Sequence, residues 1–125
     1  MPAPSRGTVL LVEADDRVRD LARHILQRNG YHVIEADNAS TALLLLESQA
    51  QSVHLLLTDL AFPSGPDGRE LASKLRLLKS DVKVVYSSAP LAPEDNEPVL
   101  LQEAKLLFKP YTPDQLLQTV GSCLA

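Results

Sequence analysis

His54-Leu55-Leu56-Leu57-Thr58-Asp59, with Pro63-Ser64-Gly65-Pro66-Asp67-Gly68 beginning four residues later, is the stretch on which the fold turns. Three consecutive leucines suit a strand buried on both faces, the habit of a central strand in a parallel sheet. Asp59 closes the run just ahead of a turn rich in proline and glycine. A carboxylate there lies at a strand's carboxyl end, where open α/β sheets gather their reactive groups.

Outward from that strand, apolar runs alternate with helical patterns. Residues 9–12 are a short apolar run. Val18, Leu21, Ala22, Ile25 and Leu26 then fall on one helix face, and Asn29-Gly30 ends that helix. Residues 31–36 read as the second strand. Asn38 caps a helix that turns Ala42, Leu43 and Leu46 inward, with Leu44 and Leu45 widening its apolar face. Leu71, Ala72, Leu75 and Leu78 mark a third helix, and residues 82–86 a fourth strand. Pro90, Pro93 and Pro98 interrupt the next segment. A proline inside a helix costs ~3 kcal/mol, so the fourth helix is expected to be short and to begin at or just before Pro98. Residues 106–108 form the fifth strand. Thr112-Pro113-Asp114-Gln115 supplies a cap, a first-turn proline and a capping-box glutamine for a last helix with Leu116, Leu117, Val120 and Leu124 inward. Five β-α units predict an α/β fold: a doubly wound, five-stranded parallel sheet, (βα)5, with helices on both faces and right-handed crossovers. The expected domain spans residues 8–125, behind a flexible tail at 1–7.

A chain of 125 residues with 45% apolar residues is long enough for a core of its own. Its net charge of −4 argues against direct nucleic-acid binding, which needs clustered Lys and Arg. No apolar stretch reaches the roughly 18 residues of a membrane span, and the first residues lack the apolar segment of a signal peptide. A cytoplasmic location is therefore expected. The single cysteine, Cys123, reads as a small apolar residue of the last helix. His24, His32 and His54 are scattered without metal-ligand spacing and read as structural or solvated.

In a parallel sheet the strand ends at Glu13, Asp59, Ser87 and Lys109 share one edge. Each residue alone has an ordinary explanation as a loop acid, a turn serine or loop punctuation. Their joint placement is what points to chemistry. Neighbouring carboxylates repel and raise one another's proton affinity, which a divalent cation and a lysine relieve. Magnesium suits such a place, because it takes oxygen ligands with one or two carboxylates plus phosphate oxygens. Phosphoryl transfer needs mainly positioning and charge neutralisation. The chain offers a nucleophile in Asp59, a metal side in Glu13 and its neighbours, a cation in Lys109 and a hydroxyl in Ser87.

Several motifs carry a family resemblance: Leu-Leu-Val-Glu at 10–13, Asn29-Gly30-Tyr31, Leu57-Thr58-Asp59-Leu60 with Pro63, Gly68-Arg69-Glu70-Leu71, Val84-Val85-Tyr86-Ser87-Ser88 and Lys109-Pro110-Tyr111. From about Thr8 to Val120 the chain resembles the receiver domain of bacterial two-component response regulators. The resemblance implies a flavodoxin-like fold and phosphorylation of Asp59 with Mg²⁺ by a sensor histidine kinase or a phosphotransfer protein. It implies that Ser87 contacts the phosphoryl group and that Lys109 pairs with it. A homodimer is a further association to expect. The turn over 63–68 is one residue longer than the commonest family form and resembles receivers attached to hybrid histidine kinases.

Two departures matter. The family usually has two adjacent acids after the first strand, whereas this chain reads Val12-Glu13-Ala14-Asp15-Asp16. Alignment on Gly30 puts Ala14 at the second acid, usually a direct metal ligand, and gives Glu13 the first acid's water-mediated role. Asp59 and the backbone carbonyl of Ala61 remain as ligands, and Asp15 is the candidate substitute if the loop shifts by one residue. Weakened Mg²⁺ binding is expected. The second departure is Leu106, which stands where the family often carries an aromatic switch residue.

A phosphoacceptor has two rivals. One is a degenerate receiver that binds protein partners independently of phosphate. The other is an enzyme on a similar fold, against which stands the lack of a G-x-S-x-G elbow or a phosphate-cradling glycine loop. No turnover is expected beyond the chain's own phosphoryl acceptance.

Overall fold

Alternating side chains of a central strand point to opposite faces of its sheet, so a strand apolar at every position demands cover on both. The computed structural model, which describes residues 5–89 and 104–124, shows this arrangement. Strands β1 (Thr8–Val12), β2 (His32–Ala36), β3 (Leu55–Asp59), β4 (Lys83–Ser88) and β5 (Lys105–Phe108) form one sheet in the order β2-β1-β3-β4-β5. Every neighbouring pair is parallel. Among the described residues the helices are α1 (Asp16–Arg28), α2 (Ala39–Gln49), α3 (Gly68–Leu78) and α4 (Pro113–Leu124). The alternation predicts such a parallel sheet, and this strand order is the flavodoxin-like one that the resemblance implies. The short helix expected near Pro98 lies outside the described residues.

β1 and β3 are buried along their whole length. Val9, Leu11, Leu55 and Leu57 pack with Ala22 and Leu26 of α1 and Leu116 and Val120 of α4. Leu10, Val12 and Leu56 pack on the other face with α2 and α3 through Ala42, Leu46, Leu71 and Leu75. Each such leucine contributes about 1.5–3 kcal/mol by leaving water. Cys123 packs at the edge of the α1–α4 core, as its reading as an apolar residue requires.

Caps fix where the helices begin. Asn38 Oδ1 accepts from Thr41 N–H at 2.8 Å. Thr112 and Gln115 exchange hydrogen bonds at 2.8 and 3.1 Å, the reciprocal capping box expected there. Asp67 and Glu70 form a second box at α3. At the end of α1, Gly30 has φ +92°, a left-handed conformation that glycine adopts without steric cost.

Three expectations need correction. Leu21, placed on the inward face of α1, is 59% exposed. It lies about 100° around the helix from Ala22, at the outer edge of the buried stripe. Leu78 is 51% exposed, because it is the final residue of α3 and extends past the core contacts that end at Leu75. Ser87, read as coming after the fourth strand, lies within it. The β3–β4 ladder continues to the Asp59–Ser87 pair, and Leu60 N–H donates to the Ser87 carbonyl at 3.0 Å. In α2, Leu44 faces solvent, while Leu43 and Leu45 pack against the core.

Candidate functional site

Glu13 follows β1 directly, Asp59 is the last residue of β3, Ser87 pairs with it from β4, and Lys109 follows β5. Parallel strands bring these four tips to one edge. The ladder step from Lys109 N–H to the Ser88 carbonyl, 2.8 Å, holds the lysine's backbone against β4.

The Asp59 carboxylate is 5% exposed as a residue and is engaged at both oxygens. Oδ1 accepts from Ser87 Oγ at 3.1 Å and from Lys109 Nζ at 2.5 Å. Oδ2 accepts from the backbone N–H of Ala14 at 2.9 Å. Lys109 Nζ also reaches Glu13 Oε1 at 2.6 Å, so one ammonium bridges two carboxylates. Glu13 Oε2 accepts from Asp15 N–H at 3.0 Å. Two successive N–H groups of the loop after β1 thus each hold one of the acids.

These contacts set the charges. Burial pushes the Asp59 carboxyl up, but the adjoining Glu13 carboxyl, Lys109 and the Ala14 N–H together hold it below its ordinary range. Burial, and then Asp59 beside it, pushes Glu13 up. Burial disfavours the Lys109 ammonium, yet its two carboxylate partners outweigh this and raise its pKa. The Tyr111 phenol is pushed up by burial and then by the negative field of Glu13 and Asp59.

Asp59, Ala61, Ser87, Ser88 and Lys109 border an open cleft of about 290 Å³. A larger hollow of about 680 Å³, between β5 and α4, contains none of the four strand-tip residues. Size alone therefore does not locate the chemistry.

Asp15 sits elsewhere in function. Its carboxylate caps α1, accepting from Arg17 and Val18 N–H at 2.9 and 3.2 Å. The side chain of Ala14 is exposed at the loop. Among the described residues no group of three or more His, Cys, Asp and Glu side chains assembles as a metal site. Two carboxylates do assemble, and Glu13 Oε1 is buried with only the Lys109 ion pair and no well-angled hydrogen bond. That oxygen and the Asp59 carboxylate are donors of the kind Mg²⁺ uses. These residues fit the ion with two carboxylates instead of three.

Some neighbours were not legible beforehand. Arg19 of α1 donates to the Glu13 carbonyl at 2.8 Å, and Thr58 Oγ1 donates to the Asp59 carbonyl at 3.0 Å. Both serve backbone atoms, which residue spacing does not expose. The cap at Asp15 did carry a signal, an acid three positions before Val18 at a helix start. The histidines stay away from this edge. His54 Nδ1 accepts from Thr8 N–H at 2.9 Å, His24 lies against the Asp20 carbonyl and His32 is exposed.

A model of the response regulator receiver domain matches residues 9–121, most of the chain.

The chain belongs to the response regulator receiver family.

Among its relatives is the response regulator receiver protein CpdR of Brucella abortus, 32% identical over 93% of this chain and 95% of CpdR. The sensor kinase CckA of the same organism is 35% identical over 94% of this chain, which spans only 12% of that kinase. In solved structures, the receiver domain of the hybrid histidine kinase CckA superposes with a TM-score of 0.79 at 30% identity, covering 95% of this chain and all of that domain. The receiver fold and its place in two-component signalling thus agree with the strand-tip motifs. No helix among the described residues is long and apolar enough to cross a membrane.

Proposed function

We propose that this receiver accepts a phosphoryl group on Asp59 from a histidine kinase or phosphotransfer protein, with Mg²⁺ held weakly because Ala14 stands at an acid's position. The carrying observation is the Asp59 carboxylate itself, at the border of an open cleft and held by Ser87, Lys109 and the Ala14 N–H. Its lowered pKa keeps it ionised, and so nucleophilic, at neutral pH. An Asp59 oxygen attacks phosphorus, and the O–P bond forms as the P–N bond to the donor histidine breaks, the imidazole leaving with the bonding pair. Lys109 balances charge on the transferred group, and the Ser87 hydroxyl is within reach to donate to a phosphoryl oxygen. Glu13, Asp59 and the Ala61 carbonyl would hold Mg²⁺, which when bound neutralises charge on the phosphoryl oxygens.

The hydrogen bonds of the loop support a weakened metal site. A one-residue slip that offered Asp15 to the metal would break Ala14 N–H to Asp59, Asp15 N–H to Glu13 and both cap bonds of Asp15. Each is worth about 0.5–1.5 kcal/mol, and more to a charged acceptor.

Incubation with a small phosphodonor and Mg²⁺, then intact mass, is expected to show one phosphoryl addition that Asp59→Asn abolishes. No adduct, even with a purified cognate kinase, would overturn the proposal and favour a phosphate-independent interaction module.

A further inference from the structure

The last β1–β3 register pair is Val12–Thr58, so the Asp59 peptide lies one step beyond the end of β1. Its carbonyl oxygen accepts instead from the hydroxyl of Thr58, a fully buried residue. Gly68, the first residue of α3, packs against the same group. A Cβ on Gly68 would overlap the Asp59 carbonyl oxygen and come within 3.2 Å of both its carbon and Thr58 Cγ2. Gly68 N–H donates to the Leu60 carbonyl at 2.9 Å, tying the helix to the next peptide.

We propose that Thr58 and Gly68 are positioning residues for the acceptor. They clamp the peptide of Asp59 at its carbonyl, and so aim its carboxylate at Ser87, Lys109 and the Ala14 N–H. Neither touches the reacting atoms. The inference rests on Asp59 as acceptor. Its chemical basis is that a displacement of about 1 Å at a reacting atom can cost ~100-fold in rate.

The test uses Thr58→Val, which removes one hydroxyl at nearly constant shape, with Thr58→Ser as the conservative variant and Gly68→Ala as the second site. Each folded variant is followed by phosphorylation with a small phosphodonor and by carboxyl-carbon NMR of Asp59 without donor. Thr58→Val and Gly68→Ala are expected to lower the saturating phosphorylation rate by about tenfold or more. Donor half-saturation should stay unchanged, the Asp59 carboxyl-carbon shift should move as its contacts loosen, and Thr58→Ser should restore both readouts. A folded Thr58→Val with the wild-type rate and the wild-type Asp59 carboxyl shift would overturn the proposal, whatever Gly68→Ala does. A wild type that forms no adduct would count against the acceptor assignment, and the carboxyl-carbon shift would still decide whether Thr58 aims Asp59.

Discussion

The backbone N–H of Ala14 donates to Asp59 Oδ2 at 2.9 Å, so the residue proposed to replace a metal-binding acid grips the proposed acceptor through its main chain. An aspartate at 14 would keep that bond and add a carboxylate at the loop. Because loss of a group that merely orients a metal ligand costs ~10–100-fold in affinity, restoring a ligand should gain at least as much. Ala14→Asp is expected to tighten Mg²⁺ binding by about 10–100-fold, measured by calorimetric or NMR titration. Equal affinities would remove the case for a weakened site.

Asp15→Ala should act differently. It deletes the cap of α1 and is expected to cost about 1 kcal/mol of stability in urea unfolding. Mg²⁺ affinity should stay within about twofold of wild type, since its carboxylate is engaged with Arg17 and Val18. A large loss of metal affinity would make Asp15 a ligand.

Lys109→Met leaves two buried carboxylates without their bridging ammonium. Removing one partner of a fully buried pair costs about 3–5 kcal/mol. The lysine side chain is 28% exposed, so a smaller loss of about 1–3 kcal/mol at neutral pH is expected. Part of it should return in acid, where the carboxylates protonate. Urea melts at both pH values check this, and an undiminished midpoint at neutral pH would contradict it.

Glu13 and Asp59 pull the pH dependence in opposite directions. Glu13 has a raised folded pKa, so the native state holds its proton more tightly. Its contribution is complete below the ordinary value of 4.5 and is lost as pH rises through the raised value. Asp59 has a lowered pKa, so its contribution is present above the ordinary value of 3.8 and is lost as pH falls through the lowered one. Glu13→Gln should therefore flatten the decline of stability above the ordinary glutamate range and leave the acid limb in place. Unfolding free energies from about pH 3 to about pH 8 would show it. A decline that persists unchanged in the variant would assign it to another group.

The strand core was legible because its signal is compositional. Leu55, Leu56 and Leu57 have no polar face to offer solvent, and β3 takes the centre of the sheet. The four tip residues were legible for the same topological reason, since parallel strands bring their ends together. Leu21 and Leu78 were misread because periodicity gives a direction around a helix but not the width or length of the surface it meets. Ser87 was placed outside its strand because the ladder extends by pairing with Asp59, a long-range fact absent from local sequence. The clamps at Thr58 and Arg19 act on carbonyl oxygens, which every residue possesses and no pattern marks.

With alanine at 14, the resting pocket sets two carboxylates against a single ammonium that already touches both. On the proposed weak site, a chelator should therefore remove only a small part of the unphosphorylated chain's stability. Its melting temperature should fall slightly in divalent-free buffer, by the little that weak binding to the native state contributes, and the ion should matter more once an incoming dianion has to be accommodated.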